Sequence, residues 1–203
     1  MKRLLLIATG AAVLLSILFV RLATARPSFQ APPEIAKIAL HPQEFPEGWT
    51  VRTREGMTQP DDARHPLSRV NPSLISETFQ KEIGDFLYSY TAYYQENYIW
   101  NGRYSGLAGN YIYQYASEEQ AQKVGEALVN AARQAPNLLK EYDLPAKNGS
   151  VWGWAGKFRG EEGGDVDLFV GTKGPFLILL IVDGPLGEFQ RGFEQLVGYL
   201  VHR

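Results

Sequence analysis

Three histidines are the first residues to weigh, because histidine is the commonest general base. His41 and His65 each stand directly before a proline, and His202 is the penultimate residue. None adjoins a nucleophilic serine motif, and Gly-x-Ser-x-Gly does not occur. The histidines therefore read as surface residues. There is no cysteine, which excludes thiol nucleophiles, thiolate metal sites, disulfides and a lipid-modified N-terminal cysteine. Glu161, Glu162, Asp165 and Asp167 crowd four carboxylates around Gly163-Gly164. Hard cations such as calcium take oxygen ligands from loops of this kind, with Glu162, Asp165 and Asp167 as the candidate set. The ordered Asp-x-Asp-x-Asp-Gly pattern is missing, however, and alternation puts Asp165 and Asp167 on the solvated side of a strand. A solvated hairpin is the favoured reading, so no metal, catalytic residue or cofactor is assigned. An enzyme alternative would be a hydrolase using Asp165 or Asp167, which needs a second carboxyl across a cleft.

The aromatic surplus is more informative. Tyr88, Tyr90, Tyr94, Tyr111, Tyr113, Trp152 and Trp154 all fall in strand-like segments. Strands favour aromatics, and a row of them under helices is ordinary core. If one sheet face is left open, the same rings could stack on a sugar or apolar ligand or anchor a protein. Tyr111, Tyr113, Trp152 and Trp154 are the ligand-binding candidates on that second reading.

The elements that must position these residues centre on the C-terminal third. Asp165–Val170 alternates as a strand, Thr172-Lys173-Gly174-Pro175 is a turn, and Phe176–Val182 is an unbroken apolar run of strand length. Such a run suits a strand covered on both faces. Leu186, Phe189, Phe193, Leu196, Val197, Leu200 and Val201 then form the stripe of an amphipathic helix. Upstream, Asn71-Pro72 opens a short helix carrying Ile75, Phe79 and Ile83. Phe86–Tyr94 and Leu107–Tyr115 pair as strands on either side of Asn101-Gly102. Ser117-Glu118-Glu119-Gln120 is a capping box for a helix that buries Ala121, Val124, Leu128 and Ala131 and stops before Pro136. Tyr142–Ser150 is connecting chain, and Val151–Arg159 is a strand with Trp152, Trp154 and Phe158 on one side. Residues 54–69 are polar and read as a surface loop. The expected fold is α+β, a two-layer sandwich of about five mainly antiparallel strands with helices on one face.

The chain has 203 residues, 45% of them hydrophobic and 21% charged, which suits one folded domain and rules out disorder. Net charge is −2, and without the three cations of residues 1–25 it falls to −5, so nucleic acid is not an expected partner. Met1-Lys2-Arg3 precedes an uncharged apolar run, Leu4–Val20, and Ala23-Thr24-Ala25 has the small-x-small form of a cleavage site. At about 1.5 Å per residue this helix is somewhat shorter than a bilayer core of about 30 Å. Residues 1–25 are thus a cleaved signal peptide or a single-pass anchor, residues 26–39 a proline-rich spacer, and residues 40–203 the domain.

Leu40-His41-Pro42-Gln43-Glu44-Phe45-Pro46-Glu47-Gly48-Trp49 resembles the opening segment of uncharacterised bacterial extracytoplasmic domains. The later order of strand pair, Ser-Glu-Glu-x-Ala helix, meander and terminal helix is similar to PsbP-like α/β sandwiches and to sensor-type lipoprotein domains of actinobacteria. The resemblance implies a binding or accessory role. The chain departs from the lipoprotein group in lacking the acylated cysteine. The expected function is a non-catalytic extracytoplasmic envelope domain that binds a protein partner or a small apolar or glycan ligand. A carboxylate hydrolase and a structural assembly factor are the alternatives.

Overall fold

In a computed structural model, the residues described are 31–45, 49–57, 74–84, 86–96, 99–100, 103–104, 106–144, 151–160, 164–183 and 189–202. The expected signal or anchor, Asn71-Pro72, Asn101-Gly102, His65, Glu161, Glu162 and Leu186 lie outside them. Residues 31–203 cluster as one compact unit. Among the described residues no helix is long and apolar enough to cross a membrane.

The chain runs α1 (Pro33–Ile38), a 3-10 turn (Pro42–Glu44), β1 (Trp49–Met57), α2 (Leu74–Glu82) and β2 (Tyr88–Glu96). It continues through β3 (Ile99–Trp100), β4 (Arg103–Tyr104), β5 (Leu107–Gln114) and α3 (Glu118–Gln134). Last come β6 (Leu138–Glu141), β7 (Val151–Arg159), β8 (Asp165–Lys173), β9 (Phe176–Asp183) and α4 (Phe189–His202). A seven-stranded sheet has the order β1-β2-β5-β9-β8-β7-β6, with every described pair antiparallel. β3 and β4 form a separate small ribbon in the β2–β5 connection.

The sheet thus has two more strands than the sequence suggests, and both are edges. β1 runs through the polar stretch Thr50–Glu55, and β6 has only four residues. An edge strand tolerates charge along its length and need not show a full apolar alternation. β9 occupies the centre of the sheet, and its residues from Leu177 to Val182 are buried whichever way they point, as their apolar run requires. Gly174, at φ 53°, makes the tight turn from β8 into β9, a conformation that a Cβ disfavours.

Helices cover both faces, so the expected two-layer arrangement is corrected. Cross-strand partners share a face, and register therefore sorts the side chains. Tyr111, Tyr113, Leu177, Leu179, Ile181, Leu168, Val170, Trp154 and Phe158 form one face. They build a single core with Phe79 of α2 and Ala121, Val124 and Leu128 of α3. α3 starts at the expected cap, with Ser117 Oγ accepting from the Gln120 amide at 3.2 Å, one of the two bonds of a capping box. It approaches the sheet closely at Gly125, where a Cβ would stand 3.0 Å from Thr172 Cγ2.

The other face carries Tyr94, Ala108, Asn110, Ile112, Ile178, Leu180, Val182, Phe169, Asp167 and Lys157. α4 is buried against this side through Phe193, Leu196, Val197, Leu200 and Val201, with Phe193 against Tyr142, whose hydroxyl binds Asp167. The N-terminal segment closes the rest. The Leu40 amide donates to Asn110 Oδ1 at 3.0 Å, the Tyr94 hydroxyl donates to the Leu40 carbonyl at 2.5 Å, and Phe45 stacks on Tyr94 at 4.0 Å. α1, with Ile35 and Ile38 buried, lies within what the sequence presented as spacer.

Candidate functional site

Strand alternation places Tyr111, Tyr113, Trp152 and Trp154 on the face beneath α2 and α3, and their neighbours are other protein rings. Tyr113 meets Phe79 and Phe86 edge-on, with centroids 5.6 and 5.3 Å away. Tyr111 meets Tyr93 at 89°, and Trp154 meets Phe158 at 61°. These are the edge-to-face geometries that aromatic quadrupoles favour. Tyr111, Tyr113 and Trp154 are buried, and burial holds the Tyr113 phenol protonated far above its usual range. Trp152 is half-buried at the margin of this core, beside Gly125 of α3. Among the four candidates it alone keeps appreciable surface.

Trp154 also has a polar attachment. Its indole N–H donates to Glu141 Oε2 at 2.6 Å, and Arg133 of α3 grips the same carboxylate through Nε and Nη2. The hydrogen bonds from Arg133 and then Trp154 hold the Glu141 carboxyl below the usual glutamate range, against the opposing effect of desolvation. Arg133 and Glu141 are both well exposed, so this pair is a clasp between α3 and the sheet edge, worth below about 1 kcal/mol.

The second constellation lies on the opposite face. Asp165 and Asp167 project from the same side of β8, and Lys157 of β7 reaches both, with Nζ 3.8 Å from Asp165 Oδ2 and 3.4 Å from Asp167 Oδ1. Arg159 adds a contact to Asp165 at 3.4 Å. The Tyr142 hydroxyl donates to Asp167 Oδ1 at 2.5 Å, and Lys140 Nζ lies 4.4 Å from the centre of the Tyr142 ring. Asp167 is fully buried, and among the described residues its Oδ2 has no hydrogen-bond partner. Its expected solvent-facing position is corrected: the face that would have been wet lies under α4. Burial pushes the Asp167 carboxyl above its ordinary range, against the lowering pull of Tyr142, Lys157 and Lys140. Burial also raises the Tyr142 phenol, followed by its hydrogen bond to Asp167 and the negative charges of Asp167, Glu194 and Asp165.

Tyr142 and Lys157 were not legible as partners. Tyr142 sits in connecting chain, and Lys157 differs from a solvated strand lysine only in sharing alternation with Ala155, which is itself buried. The chemistry open to the cluster is limited. Both carboxylates contact Lys157 and lie side by side on one strand, whereas hydrolytic pairs face each other across a substrate. Among the described residues no three His, Asp or Glu converge as a metal site. His41 and His202 are exposed, the first beside the 3-10 turn and the second in the last turn of α4.

No protein-family model matches this chain, and no curated protein matches it. Among solved structures, the extracellular domain of PknH from Mycobacterium tuberculosis is similar over 86% of this chain and 97% of its own length. The TM-score is 0.57 at 8% identity. An uncharacterised protein of Mycobacterium smegmatis covers 88% of this chain and 100% of its own length, with 9% identity and a TM-score of 0.39, too low to carry weight. Neither match speaks to the PsbP-like pattern. The chain has a seven-stranded antiparallel α+β fold that is similar to that of an extracellular domain, and at such identity the likeness is one of fold alone.

Proposed function

We propose that this chain is a non-catalytic extracytoplasmic domain of the cell envelope that binds a protein partner or a small apolar or glycan ligand. The observation that carries the reading is the likeness of fold to the extracellular domain of PknH, over 86% of this chain and 97% of that one. The N-terminal sequence agrees, since a basic start, an apolar run and Ala23-Thr24-Ala25 deliver the remainder of the chain across a membrane. Export ends either in cleavage after Ala25 or in anchoring by residues 4–20. Trp152 is the proposed contact residue, because aromatic rings with partial exposure supply binding area at little entropic cost. The carboxylates support binding over catalysis, being tied to Lys157 and Arg159.

Fusing alkaline phosphatase to the C-terminus of the full chain tests the location. An active reporter is expected, and an inactive one paired with active β-galactosidase at the same junction would refute export. The mass of the exported chain decides between cleavage and anchoring. A photo-crosslinker at position 152 should trap a partner in the native envelope, while one at the buried Leu177 should not. Equal capture at both positions would remove the proposed contact.

A further inference from the structure

Asp167 is fully buried, yet only one of its carboxylate oxygens is satisfied. Oδ1 accepts from Tyr142 and lies 3.4 Å from Lys157 Nζ, while Oδ2 is enclosed without a partner among the described residues. An enclosed oxygen of this kind costs much more when the group is ionised than when it carries a proton. Charged and titratable groups face it from each neighbouring element. Lys157 and, further out, Arg159 come from β7, Asp165 from its own strand, Lys140 and Tyr142 from the end of β6, and Glu194 from α4 through its field on Tyr142. Tyr142 does double duty. Its hydroxyl binds Asp167, and its ring lies 5.2 Å from that of Phe193, a buried residue of α4. The protonation state of Asp167 is thereby joined to the seating of the terminal helix.

We propose that the Asp167–Tyr142–Lys157 cluster is a proton-responsive pin, which takes up one proton at Asp167 Oδ2 as the surroundings acidify and then seats α4 more firmly on the sheet. The proposal goes beyond the binding role and stands without it. On protonation Oδ1 still accepts from Tyr142, and Lys157 keeps its contact with Asp165. The direction comes from linkage. Burial outweighs the opposing hydrogen bonds and charges, so the seated state holds the proton more tightly than the unfolded chain does. Seating therefore gains as pH falls from neutral through the folded-state pKa, and the gain is complete below the unfolded value.

Carbon NMR of the Asp167 carboxyl, in the full chain held in detergent, tests the proposal. The resonance should titrate with a midpoint above that of aspartate in an unstructured peptide. Tyr142→Phe removes a hydrogen bond that favours the charged form, so it should move the midpoint further up. Amide exchange across 193–201, corrected for intrinsic rates and referred to 121–132 in α3, should be slower below that midpoint than in neutral buffer. Asp167→Asn, which mimics the neutral acid, should remove that dependence. If Asp167→Asn fails to fold, the titrations of the unsubstituted chain and of Tyr142→Phe still decide. A midpoint at or below the peptide value, a downward shift in Tyr142→Phe, or α4 protection indifferent to pH would each overturn the pin.

Discussion

Phe169 lays its ring over Gly171, two residues further along β8, so that a Cβ at Gly171 would stand 2.5 Å from Cζ of the ring. Gly153, the cross-strand partner of Gly171 on β7, lies under the same ring, 2.6 Å from Cε2 by the same construction. The two glycines form a floor on which a fully buried phenylalanine rests.

That floor has no slack. Gly171→Ala should lower stability by about 1–3 kcal/mol, the usual cost of overpacking, because a ring enclosed by β7, β9 and the helix side has nowhere to move. Urea denaturation read by tryptophan fluorescence checks it. An unchanged midpoint would mean that the ring is loosely held.

Asn110 is buried in the sheet face under the N-terminal segment, accepting from the Leu40 amide and donating to the Leu179 carbonyl at 3.2 Å. Asn110→Ala strands the Leu40 amide, at a cost of about 1–3 kcal/mol. Because the bond spans 70 residues of sequence, its loss should also release residues 33–45, seen as faster proteolysis within that segment than elsewhere. Uniform proteolysis would argue against a local clasp.

The two tryptophans of β7 should behave differently. Trp154→Ala removes a buried ring and should cost about 3–5 kcal/mol. Trp152→Ala, at the half-buried margin, should cost measurably less. If Trp152→Ala folds well but loses a partner captured by the unsubstituted chain, the ring is a contact. If it destabilises as much as Trp154→Ala, it belongs to the core alone.

Glu141 gives a pH marker of opposite sign to Asp167. Its carboxyl is held low by Arg133 and Trp154, so the clasp contributes at neutral pH and above the unfolded glutamate pKa. Its contribution is lost only as pH falls through the lowered folded value. The Trp154 indole N–H resonance should therefore shift below the usual glutamate range, and Arg133→Met should bring that transition up. A transition unmoved by Arg133→Met would show that the ion pair does not persist in solution.

The sequence by itself determined the elements whose signals are local. The α3 cap needs only Ser117 and the amide of Gln120, and the apolar run of β9 marks a doubly covered strand whatever covers it. The common side of Trp152, Trp154 and Phe158 comes from strand alternation, and the absence of thiol chemistry from composition. Tertiary structure decided which faces are covered. α4 and the Leu40 segment lie across the side that alternation alone presented as open, and the polar edges β1 and β6 join the sheet only through their neighbours. Asp167 shows the reason most directly. A carboxylate on an alternating strand reads as solvated, and its burial depends on Tyr142, 25 residues earlier, and on a helix later in the chain. Desolvation is set by what arrives from elsewhere in the fold, and no local pattern records that arrival.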